Sequence, residues 1–168
     1  MLPMQVYPAD DIARVAALHR LQILDTPPAV EFDQIAWSAK ILFDAAAAFV
    51  SFVDAERQWY KARAGADIVE VDRRASFCSH CVAYRSPLWI ENALEDPRVF
   101  DNPFVAGAPF LRFYAGAPIR DARGWMLGTV CVVDVKPRPY DANLERGLIA
   151  LADMASALLD RGDAAGAA

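Results

Sequence analysis

Three cysteines, two histidines and an arginine heading an aromatic strand are the side chains of this chain that could carry chemistry. Cys78, His80 and Cys81 form a Cys-x-His-Cys cluster, and Cys131 stands apart. Ser76 precedes the cluster, and serine caps helices by accepting a backbone N–H, so the thiols fall at a helix start. Unpaired N–H groups there acidify a thiol, and Arg73 and Arg74 just upstream add positive charge. Cys78, nearer the helix start, is the better thiolate candidate. Three readings follow. As a dithiol, Cys78 and Cys81 share a helix face and could cycle to a disulfide. As metal ligands they would recruit Cys131, but zinc takes four donors and no second Cys-x-x-Cys pair exists, so no metal or other cofactor is expected. As small buried residues lining a pocket they need no reactivity, and this packing reading is the one adopted. His80 has no acidic neighbour in sequence to build a relay, and His19 reads as a solvated surface residue.

These side chains need a frame. Asp10 to Leu21 has apolar residues Ile12, Val15, Ala16 and Leu18 at helical spacing, with acids at its start. A second helix, over 29–45, carries the stripe Phe32, Ile35, Ala36, Ala39, Leu42 and Phe43. Strands are expected at Phe49–Val53, Trp59–Ala64 and Leu88–Ile90, with 66–75 as loop. A hairpin follows, built from 112–119 and the β-branched run 128–134 around the turn Arg120–Gly124. Pro97, Pro103, Gly107 and Pro109 forbid a long helix over 93–109, and such excursions in compact domains are usually functional. Asp141 opens a long final helix. Residues 1–9 read as a flexible lead-in and 161–168 as a disordered tail.

Five separated motifs, in order, carry a resemblance. They are Ser51–Asp54, Gln58–Lys61, Ser76–His80, Arg112–Ile119 and Gly128–Asp134. Together they resemble a GAF domain, and more narrowly the sensory GAF domains upstream of bacterial histidine kinases and diguanylate cyclases. The segment Asp96–Pro103 is similar to a family segment that covers the ligand pocket. The resemblance implies one α+β domain over 10–160. It has a central antiparallel sheet of five or six strands with helices on both sides. Helices 29–45 and 141–160 lie on one face, and a pocket on the other lies under the 77–85 helix and the 93–109 loop. It implies a non-enzymatic sensor that binds a small molecule and relays the signal through its terminal helices. Trp59, Cys78, His80, Phe100, Arg112, Tyr114 and Cys131 are the expected lining. Arg112 would either bind an anion bidentately or pair with Asp101 or Glu91 to pin the lid. The alternative is an enzyme or redox sensor: a GAF-fold free methionine-(R)-sulfoxide reductase using Cys78, Cys81 and Cys131. A bilin site is disfavoured because Ser79 separates Cys78 from His80, and a cyclic-nucleotide site because the Asn-Lys signature is missing.

Composition agrees. The 168 residues are 55% hydrophobic and 23% charged, which suits one folded domain. A net charge of −5 without a basic block argues against a nucleic-acid partner. No apolar run reaches a membrane span and no signal peptide is evident, so a cytoplasmic protein is expected. The odd cysteine count suits a reducing compartment. In the final helix Leu144, Leu148, Leu151, Ala155 and Leu158 recur at seam-like spacing, so a parallel homodimer through the terminal helices is expected. A histidine kinase or diguanylate cyclase module is the expected output partner.

Overall fold

The computed structural model describes residues 6–166, with side chains through 162. Among the described residues, five α-helices and six strands follow in this order: α1 (Asp11–Arg20), α2 (Val30–Phe43), β1 (Ala47–Val53), β2 (Arg57–Ala64), β3 (Glu70–Asp72), α3 (Cys78–Tyr84), β4 (Leu88–Ile90), α4 (Pro103–Ala106), β5 (Phe113–Arg120), β6 (Met126–Asp134) and α5 (Ala142–Gly166). The sheet runs β3-β2-β1-β6-β5-β4, antiparallel throughout. Strand β3 lies in the segment expected to be loop. It is three residues long, polar and at the sheet edge, so it carries no apolar alternation to reveal it.

Side-chain alternation divides the sheet into two faces. Ala48, Val50 and Phe52 of β1, Val130 and Val132 of β6, and Phe113, Ala115 and Ala117 of β5 pack under α2 and α5. Five residues of the α2 stripe are buried there; Leu42 is not. From α1, Val15, Ala17 and Leu18 are buried, while Ile12 and Ala16 of the expected stripe face outward. Ala47, Phe49, Cys131 and Tyr114 point to the opposite face, where α3 and the 93–112 excursion cover them.

The buried stripe of α5 is Leu148, Ala152, Ala155 and Leu159. Leu144, Leu151 and Leu158 of the expected seam are half-buried at its flank, because the sheet claims the face one residue further round. Asp141 starts this helix as expected, its carboxylate accepting from the N–H groups of Asn143 (2.9 Å) and Leu144 (3.1 Å). The helix continues to Gly166, so 161–166 is not the expected disordered tail; the alanines there are the strongest helix formers. Residues 167–168 of that tail, and 1–5 of the lead-in, lie outside the described residues. Within the lead-in, Tyr7 lies on Arg73, with the guanidinium carbon 4.2 Å from its ring centre.

Candidate functional site

A cavity of about 280 Å³ lies between the sheet and its α3 cover. Ala47 and Phe49 of β1, Tyr60 of β2, Phe77 and Leu111 form most of its apolar wall. Its polar lining comes from Gln58, Tyr60, Cys78, Tyr114 and Cys131, and among the described residues no charged side chain faces it. The roof is the 103–111 segment. Asn102 begins it, accepting from Phe104 N–H (2.9 Å) and donating through Nδ2 to the Ala75 carbonyl (3.0 Å). One side chain thus caps α4 and ties the roof to the turn that leads into α3. Pro103 in the first helical turn costs no hydrogen bond.

Arg112 holds the roof from the other end. Its Nη1 donates to the carbonyls of Val105 (3.1 Å) and Leu111 (2.9 Å). The pairing with Asp101 or Glu91 expected as one alternative is not made: Arg112 bonds backbone carbonyls instead. Glu91 instead accepts from Tyr140 N–H.

The structure brings Cys78, Tyr114 and Cys131 of the expected lining into the cavity wall. It places the other four elsewhere. Trp59 points to the helical face and belongs to the core under α2, because β2 alternates and Gln58 and Tyr60 take the cavity side. Phe100 is half exposed on the 96–102 turn. His80 is buried against Tyr84, with Nδ1 unpartnered, and burial lowers its pKa. Gln58 and Tyr60 were not singled out as lining; the Gln58–Lys61 motif contained them, and period-2 alternation against Trp59 was the signal available. His19 is not simply solvated: its Nε2 lies 2.7 Å from Asp54 Oδ1.

The inner wall is a hydrogen-bonded cluster around the Cys78 sulfur. Thr129 Oγ1 (2.9 Å), Gln58 Nε2 (3.0 Å), Tyr114 Oη (3.1 Å) and Ser51 Oγ (3.8 Å) donate to Sγ. Burial raises a thiol pKa, but hydrogen bonds from Cys131, Thr129, Tyr114 and Ser51 outweigh it and bring Cys78 down to about 7. The cause differs from the expected arginine charges. Arg73 turns away to Asp11 and Arg74 pairs with Asp72, so neither charge serves the thiol. Cys81, a turn later, is pushed up by burial. Cys131 is pushed well up, first by its hydrogen bond to Cys78 and then by burial. Cys78 and Cys131 both line the cavity, and Cys81 does not. No group of three or more potential metal ligands occurs among the described residues.

One pH dependence follows. Cys81, Tyr60 and Tyr114 have raised values in the folded state, first by burial and then by the charge of Cys78, and Cys131 first by its hydrogen bond to Cys78 and then by burial. Above their unfolded values the unfolded chain binds fewer protons than the native one, so stability falls as pH rises. Urea midpoints are expected to drop as pH climbs past about 9. A midpoint that stays level to pH 11 would contradict the buried-thiol geometry.

The architecture and the covered cavity on one sheet face define the class. The model of the GAF domain family matches residues 30–160, and the chain belongs to that family. A cyclic di-GMP phosphodiesterase of Pseudomonas aeruginosa is 39% identical over 132 residues, which is 79% of this chain. The match spans 22% of that curated relative, so the comparison concerns one part of a larger protein. The GAF domain of an Acinetobacter phosphoenolpyruvate-protein phosphotransferase superposes with a TM-score of 0.65 at 16% identity, covering 93% of this chain and 98% of that one. A type II free methionine-R-sulfoxide reductase of Thermoplasma acidophilum gives 0.61 at 16% identity, covering 77% and 92%. Those two likenesses share the fold. No helix among the described residues is long and apolar enough to cross a membrane.

Proposed function

We propose that this domain is a sensory module whose cavity takes a small, uncharged, largely apolar molecule and whose terminal helices pass occupancy to an output module. The observation that carries the reading is the lining: a partly open cavity of about 280 Å³ with polar groups gathered at Cys78 and, among the described residues, no charged side chain. A phosphate or carboxylate ligand would need cations or a bidentate arginine there. The same fact weighs against the reductase alternative, because a free amino acid brings a charged ammonium and carboxylate into the cavity. By analogy with the Pseudomonas relative, the output is a cyclic di-GMP-metabolising module. A kinase or diguanylate cyclase is the other class that the sequence resemblance implies.

The route outward starts at the turn Arg73–Ala75, which leads into α3 and is clamped to α1 through Asp11. A shift of α3 on ligand binding would move that clamp and with it α1. At the opposite face, Trp37 and Ile41 of α2 and Met154 of α5 leave apolar surface exposed beside the half-buried Leu158. We infer that a second copy covers this surface, giving the homodimer read from the α5 seam. Native mass spectrometry of the purified protein tests both parts. The expected spectrum shows a dimer carrying a small neutral adduct that is lost on collisional activation. A bare monomer at micromolar concentration would count against both.

A further inference from the structure

The cluster around Cys78 is more than packing requires. A neutral thiol is a weak acceptor, yet Thr129, Gln58 and Tyr114 converge on one sulfur within 2.9–3.1 Å. The Gln58 amide is oriented for this. Ser76 accepts Ser79 N–H (3.1 Å) and donates its own proton to Gln58 Oε1 (2.5 Å), so the Nε2 end faces the sulfur. Nε2 also donates to Ser51 Oγ (2.8 Å). Such a ring of donors suits an anionic sulfur. Cys81 supplies the contrast. It is as deeply buried among apolar side chains, and its hydroxyl contact, Tyr114 Oη, is distant at 3.7 Å. Cys78 and Cys131 both face the cavity and Cys81 does not.

We propose that Cys78 is an oxidation site for small uncharged organic hydroperoxides entering the cavity, with Cys131 as the thiol that closes a disulfide. This rests on the cavity being a binding site for uncharged molecules. The Cys78 thiolate attacks the terminal oxygen of the hydroperoxide. The S–O bond forms as the O–O bond breaks, sulfur giving up two electrons. The leaving alkoxide takes a proton and departs as the alcohol. The Cys131 sulfur then attacks the Cys78 sulfenic acid; the S–S bond forms, and the Cys131 proton leaves with the sulfenic oxygen as water. In sum, two thiols and one hydroperoxide give one disulfide, one alcohol and one water. The donor ring holds the reacting anion, and the apolar wall selects the organic peroxide by excluding charge.

The test uses the wild-type protein with cumene hydroperoxide, followed by intact mass and peptide mapping. The expected product has lost two hydrogens as a Cys78–Cys131 disulfide that dithiothreitol reverses. In Cys131→Ser, dimedone should trap a sulfenic acid on Cys78, and Cys81→Ser should behave as wild type. Three free thiols surviving excess oxidant in folded protein, or oxidation mapping to Cys81, would overturn the proposal. Indole, a small apolar probe, separates the two readings. Indole that binds and slows Cys78 oxidation supports the route through the cavity. Indole that binds without slowing oxidation overturns that route. Indole that fails to bind while oxidation proceeds counts against the cavity reading itself, and the cavity route to Cys78 falls with it.

Discussion

Asp11→Ala is expected to lower the unfolding free energy by about 3–5 kcal/mol, the cost of leaving a buried ion pair without one partner. Asp11 holds two arginines at once. Arg14 Nε donates to Oδ1 (2.8 Å), and Arg73 donates through Nη1 to Oδ2 (2.8 Å) and Nη2 to Oδ1 (2.9 Å). Both arginine side chains are 2% exposed. Burial raises the Asp11 pKa, but the two arginines outweigh it and hold the carboxyl below the usual value. Without the carboxylate, two like charges would sit together out of water, and Arg73 would keep the carbonyls of Asp54 and Ala55 and the Tyr7 ring. Urea denaturation measures the loss, and Asp11→Ala combined with Arg73→Met should recover part of it. A single-variant loss below about 1 kcal/mol would place the cluster among surface pairs, which contribute that little. The position matters for signalling too, since Arg73 stands in the turn that enters α3.

Gly116→Ala is expected to cost about 3 kcal/mol, from overpacking together with a broken buried hydrogen bond. A β-carbon at Gly116 would lie 2.2 Å from Tyr114 Oη and 2.8 Å from its ring carbon. The Tyr114 ring lies along its own strand over the glycine, stacked on Phe77 at 5.3 Å, and so reaches Cys78. It has little freedom to retreat, being fully buried. The variant therefore displaces the phenol and removes one donor from the sulfur. Thermal denaturation reads the stability loss, and the pH midpoint of iodoacetamide labelling at Cys78 should move upward. An unchanged midpoint would show that Tyr114 contributes nothing to the thiol.

Much of this was legible in the residues. Stripes such as Phe32–Phe43 and runs such as 128–134 declare which face of a helix is apolar and which strand is covered on both sides. The five motifs then fixed the order of elements and the family. What failed was direction. Trp59 and Tyr60 are adjacent aromatics, and only knowing which face holds the helices decides which one meets the cavity. Strand β3 was invisible because a short polar edge strand has no pattern beyond its hydrogen bonds. The acidification of Cys78 was foreseen from Arg73 and Arg74, yet it comes from hydrogen bonds of Cys131, Thr129, Tyr114 and Ser51, which lie far off in sequence. Long-range convergence of that kind leaves no local signal, and Arg73 was already committed to Asp11.

The cavity is expected to bind small uncharged molecules, with occupancy reaching the terminal helices. Amide chemical shifts of the isotope-labelled protein, titrated with indole, test it most directly. Saturable shifts are expected at Phe49, Phe77, Leu111 and Cys131, which surround the cavity, accompanied by shifts in α1. Ala47→Phe, which fills the cavity from β1, should abolish both sets while leaving the rest of the spectrum intact. Shifts that are absent up to millimolar indole, or that persist in Ala47→Phe, would contradict it.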